Sequence, residues 1–77
     1  MNEVQKGIYR HYQGKEYQVL GVGNHSETLE KVVIYKQLYD APEFKKGTIW
    51  VRPLEMFLEN VIIDGKEVPR FELIDPI

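Results

Sequence analysis

The sequence contains no cysteine, one alanine (Ala41), one tryptophan (Trp50) and two histidines, His11 and His25. Without cysteine there are neither disulfides nor thiolate zinc sites, the usual staples of a small domain. Two histidines are too few for a metal cage, so neither a metal nor a cofactor is expected. Long apolar runs are also missing. No segment approaches the ~20 apolar residues of a transmembrane helix. The opening "MNEVQKGIYRHY" holds no stretch of signal-peptide character. The expectation is a soluble, cytoplasmic protein with no membrane partner. Nor is there an excess of basic charge: ten Lys/Arg are scattered among twelve Asp/Glu, for a formal charge of −2. A nucleic-acid binder needs a basic surface to displace counterions, so that class is disfavoured without being excluded.

What remains is one small domain, residues 1–77, with a thin core. Its scarcity of alanine is matched by abundant Val, Ile and Tyr, residues that suit a pleated surface better than a helix. Turn signals divide the chain into strands near 8–12, 15–23, 31–39, 48–52, 60–63 and 66–73. Gln13-Gly14 marks one hairpin, and Asp64-Gly65 marks another whose two central residues need positive φ. Pro69 removes a ladder donor, which makes the last strand an edge or a bulged strand. "PLEMFLEN" reads as one helical turn near 53–59, with Pro53 at its first position and Asn60 closing it. Leu54, Phe57 and Leu58 share a face. Five or six short antiparallel strands of this kind predict a mainly β fold, a small closed or half-open barrel. Gly21 and Gly23 fit a bend or bulge at a barrel corner, or a close approach of a ligand.

Alternation then sorts the side chains. Tyr9 and His11, Tyr35 and Tyr39, and Trp50 and Arg52 fall on one set of faces. Ile8, Arg10 and Tyr12 oppose the first pair; Val32, Ile34, Lys36 and Leu38 oppose the second; Ile49 and Val51 oppose the third. The aliphatic set, with Phe57, is the expected core. The mixed set either widens that core or forms an aromatic groove, with Arg52 over Trp50 as a cation–π pair. Tyr9, His11, His25, Tyr35, Tyr39, Trp50 and Arg52 are the candidate ligand-binding residues.

No catalytic residue is assigned. His25-Ser26-Glu27 has the atom types of a triad, but sequence neighbours rarely converge as a triad requires. Asn24-x-x-Glu27 has the spacing of a capping box, which makes a turn the simpler reading. There is no phosphate-binding glycine loop and no nucleophile elbow. A small enzyme would need His11, His25 and Glu27 to meet in one cleft.

The segments "GIYRHYQGKEYQVLGVGNHSETLEKVVIY", "LY" and "WVRPLEMFLE" resemble a small bacterial domain family of unknown function. That family is marked by the motifs Y-R-H-Y-K-G, R-H-S-E-T-L-E and W-V-R-P-x-x-M-F. Three motifs in order cover roughly Gly7 to Phe71. The resemblance implies an SH3-like barrel and no activity. Gln13 and Asn24 stand where the family usually has lysine and arginine. Both changes remove positive charge beside the histidines.

The leading expectation is therefore a non-enzymatic module that offers its aromatic and arginine surface to a protein or peptide. The alternatives are an RNA- or ribosome-associated module gathering Arg10, Lys31, Lys36 and Arg52 on one face, and the small enzyme. A homodimer would pair the third or the last strand across a two-fold axis.

Overall fold

A computed structural model describes residues 4–77. Strand β1 (Gly7–His11) turns into β2 (Glu16–Asn24) through Gly14, whose φ of +105° only glycine adopts cheaply. The Gly14 N–H donates to the His11 carbonyl at 2.7 Å and closes the turn. Strand β3 (Lys31–Gln37) pairs with β2, and β4 (Ile49–Pro53) pairs with β3. A four-residue helix, α1 (Leu54–Phe57), follows directly. The hairpin of β5 (Asn60–Ile63) and β6 (Lys66–Pro69) comes next, before β7 (Phe71–Pro76) returns to pair with β1.

The result is a mainly β domain with seven strands in two antiparallel sheets, one of five strands ordered β4-β3-β2-β1-β7 and one formed by the β5-β6 hairpin. The barrel expected from the strand count does not close. Strands β4 and β7 remain as the two edges of the larger sheet. The extra strand arises because the segment expected as one strand over 66–73 breaks at Arg70. Pro69 ends β6 in the small hairpin, where its missing donor spoils no interior ladder. Strand β3 is paired on both sides, so it cannot pair across a dimer axis as expected; the last strand, β7, keeps an open side.

Local signals held at the turns. Asp64 and Gly65 have φ of +50° and +78°, as a two-residue primed turn requires. Gly21 sits where the β2-β3 register shifts between Val19 and Gly21, a bulge of the kind its position suggested. Pro53, however, caps α1 from the end of β4 instead of occupying its first turn, and Asn60 begins β5 while Leu58 closes the helix. Among the described residues no helix is long and apolar enough to cross a membrane.

The core lies on the side opposite to the one expected. Tyr9 is 7% exposed and Tyr35 5%, and they pack with Val19, Val33, Phe57 and Phe71. Ile49 and Val51, assigned to the core by their aliphatic character, are 51% and 57% exposed. The cause is volume. Only the short α1 covers the sheet, and its single buried residue, Phe57, cannot fill the space against aliphatic side chains alone. Aromatic rings can. Phe57 stacks on Phe71 at 4.3 Å with ring planes 4° apart, and meets Tyr9 and Tyr35 at 5.5 Å and 5.6 Å. Of the expected aliphatic set, Val32 is buried at 7% exposure, whereas Ile49 and Val51 at the β4 edge stay open.

Candidate functional site

The site begins with the ring of Phe71. Strand pairing sets it opposite His11, whose imidazole meets it edge-on at 5.0 Å. Tyr17 and Tyr35 approach the same ring at 5.8 Å and 5.7 Å, and the Arg52 guanidinium lies 5.9 Å from its centre. Arg52 reaches this position because β4 sets it beside Val33 on the inner face, from which its Nε donates to the Tyr35 hydroxyl at 3.4 Å. The Tyr17 and Tyr39 hydroxyls are hydrogen-bonded to each other. Arg70, at the β6-β7 break, lies over Tyr12 at 6.0 Å and pairs with Glu59 at 3.2 Å. Its Nε is buried and has no partner among the described residues.

This recess is electropositive. Burial, then Arg70, then Arg52 hold the His11 imidazole below its ordinary pKa. Burial, followed by the hydrogen bond with Tyr39, pushes the Tyr17 phenol far above its usual range, so it stays a neutral hydrogen-bonding group. Glu59 offsets one arginine, and among the described residues no carboxylate pairs with Arg52. Next to it, a cleft of about 340 Å³ between the sheet and the β5-β6 hairpin is lined by His11, Tyr12, Ile63, Val68 and Pro69, with Arg10 and Glu72 adding charge. His11 belongs to both.

The seven candidate residues thus divide. His11, Tyr39 and Arg52 come together as half-buried groups of one recess. Tyr35 supplies its buried wall, its hydroxyl accepting from Arg52. Tyr9 is core, with its hydroxyl donated to the Gln5 carbonyl at 2.8 Å. Trp50 is committed elsewhere: its Nε1 donates to Gln37 at 3.0 Å and its ring meets Phe44 at 4.8 Å. The Arg52 guanidinium thus makes its cation–π contact with Phe71, not with Trp50 as expected.

His25 organises a turn. Its Nδ1 accepts from the backbone N–H groups of Glu27 and Thr28 at 3.1 Å and 3.3 Å, the role expected of Asn24. Asn24 instead donates its side-chain amide to the Leu29 carbonyl at 3.1 Å. His11 and His25 lie at opposite ends of β2. The His11 N–H bonds to the Lys15 carbonyl, and the strand from Lys15 to His25 spans roughly 30 Å. His11, His25 and Glu27 therefore do not meet, and no group of metal-binding side chains occurs among the described residues. The cations expected to gather for nucleic acid are also divided. Arg52 is on the inner face, while Arg10 is exposed on the outer face and pairs with Glu16 at 3.3 Å.

Sequence reading missed Tyr17, Arg70 and Phe71. Tyr17 was legible in principle, because a Gln13-Gly14 hairpin places it directly across from Tyr9, as observed. Arg70 and Phe71 depend on the break after Pro69, which reverses the alternation of the following residues.

A small antiparallel β domain with an aromatic and arginine recess on its inner face is the class that this architecture defines. The chain belongs to the DUF1653 family, described as a protein of unknown function, which it matches over residues 7–73. Its fold is similar to the crystal structure of a DUF1653 protein from Bordetella bronchiseptica. That likeness has a TM-score of 0.85 and 32% sequence identity, and covers 100% of this chain and 95% of the other. A comparison with curated proteins finds no match.

Proposed function

We propose that the domain is a non-enzymatic interaction module, cytoplasmic and SH3-like in its use of a small β scaffold, that binds a protein or peptide segment. The observation supporting this reading is the half-buried recess of His11, Tyr17, Tyr39, Arg52 and Arg70 beside an apolar cleft. Aromatic surface with a polar tip and arginine is the composition of binding hot spots, because it gives large contact area at low entropic cost. The separation of His11 from His25 and Glu27 speaks against the single cleft that a small enzyme would need, and the His25 Nδ1 is engaged by the backbone of its own turn.

Selection of a random displayed peptide library against the full chain tests the reading. Enriched peptides should lose at least tenfold in affinity against folded Tyr39→Ala, which trims the recess without touching the buried ring cluster. No enrichment, or binding unchanged in that variant, would overturn it.

A further inference from the structure

We infer that the recess around Arg52 is a carboxylate-binding site, taking one carboxylate of a peptide ligand between the Arg52 and Arg70 side chains. The inference rests on the peptide-binding reading above and specifies what its recess recognises. Three independent features lead to it.

The first is unmatched positive charge held in place. Arg52 is half-buried, fixed by the Tyr35 hydroxyl at 3.4 Å and by the Phe71 ring, with no ion pair among the described residues. Ordering a guanidinium against aromatic rings without a carboxylate leaves its terminal fork of donors presented for a planar acceptor. The second is the buried Arg70 Nε, which lacks a partner among the described residues although the same side chain pairs with Glu59 through a terminal nitrogen. A buried donor without an acceptor is costly, so the partly exposed Arg70 side chain gains by turning towards any acceptor that enters the recess. The third is the surrounding chemistry. Tyr17 and Tyr35 bring hydroxyls, and the rings of Phe71 and Tyr39 give apolar walls suited to the carbon skeleton that carries the charge.

Charge counting selects a carboxylate over a phosphate. Arg70 and Glu59 cancel, and His11 is held towards its neutral form by burial and by both arginines. Arg52 is left as the one fixed excess charge inside the recess, matched to a monoanion. Lys15, whose ammonium stands 5.0 Å from the Tyr39 ring, adds a solvated charge further out. A dianion would have to lie against Glu59 as well.

The test is NMR titration of the full chain with acetyl-Gly-Gly-Phe carrying a free terminal carboxylate, its C-terminal amide, acetyl-Gly-Glu-Gly-amide and inorganic phosphate. The free-carboxylate peptide should give saturable shifts at the His11 ring and the Arg52 Nε–H, and should raise the His11 titration midpoint. Its amide should bind at least tenfold more weakly. If acetyl-Gly-Glu-Gly-amide matches the free-terminus peptide, the carboxylate comes from a side chain as readily as from a chain end; if it matches the amide, the site reads a terminus. Both results support a carboxylate site. Arg52→Gln should lose tenfold or more, while Lys36→Gln, on the face of β3 opposite Tyr35 and Gln37, should change nothing.

Equal binding of acid and amide, no shift with any carboxylate, or tighter binding of phosphate overturns the inference. These comparisons use the unaltered protein and do not depend on Arg52→Gln folding. Library-selected peptides that bind the recess without a carboxylate would end this inference and leave the module reading intact. Binding of the carboxylate probes with no peptide enrichment would do the reverse.

Discussion

Gln37 is the polar residue on which the rim of the recess depends. It is 2% exposed, the one buried polar or charged side chain among the described residues. Its Nε2 donates to the carbonyls of Tyr39 and Phe44 at 2.8 Å and 2.7 Å, and its Oε1 accepts from Trp50 Nε1 at 3.0 Å. One amide therefore holds the start and the middle of the β3-β4 loop and the only tryptophan. Gln37→Met keeps most of the volume and removes all three bonds. At about 1 kcal/mol net for each hydrogen bond the loss is about 3 kcal/mol. Water reaching the two loop carbonyls recovers part of it, so the expected cost is about 2–3 kcal/mol. A domain of this size is stable by roughly 4–11 kcal/mol, which makes that loss large without forbidding folding. Urea denaturation followed by far-UV circular dichroism measures it. In a Trp50→Phe background the same substitution should cost about 1 kcal/mol less, because the third bond is already gone. A cost below about 1 kcal/mol for Gln37→Met would refute the role given to the amide. So would a cost independent of residue 50.

Other expectations follow from single positions. A Cβ at Gly7 would stand 2.6 Å from the Asp75 carbonyl oxygen of β7, so Gly7→Ala should cost about 2 kcal/mol or more, whereas Gly21→Ala, in open space, should stay within about 0.5 kcal/mol; equal denaturation midpoints for the two would contradict the close approach. Leu29 has φ +64° and is largely exposed, so Leu29→Gly should stabilise the fold by about 0.5–1 kcal/mol in thermal unfolding, and a loss would show that its side chain matters more than its backbone. His11 is held below its ordinary pKa in the folded state, so the unfolded chain binds more protons below about pH 6.5. Its contribution to stability is present above the unfolded value and is lost as pH falls through 6.5 towards the folded value. Melting temperature should therefore rise from pH 5 to 7.5 more steeply in the unaltered protein than in His11→Gln, and parallel profiles would contradict the electropositive setting of the imidazole.

The strands and turns of the chain were legible because they depend on local chemistry. Asp64-Gly65 makes a turn with two positive φ values wherever it stands between strand formers, and the aromatic and branched residues on both sides permit little else. The last strand was misjudged because its division is not local. Lys66–Pro69 is held by β5, whereas Phe71–Pro76 is held by β1, some sixty residues away in sequence. Nothing in "KEVPRFELI" says which partner takes each half.

The site was half legible for a related reason. Alternation placed Tyr9 with His11 and Trp50 with Arg52 correctly, but alternation does not say which face is inside. Ranking residues by hydrophobicity chose the aliphatic face, and that ranking fails where the cover is one short helix and filled volume matters more than polarity. Aromatic residues that seemed to make a groove became the core, and their polar tips were carried to one end of it. The hydroxyls of Tyr17 and Tyr39 meet there, and Arg52 spans the rings to reach Tyr35. The recess is thus the margin of the core, not a surface added to it. Its binding groups are fixed by the same ring contacts that hold the sheet, which is why a substitution at Phe71 or Tyr35 should lower stability and binding together, while one at Tyr39 or Arg52 should separate them.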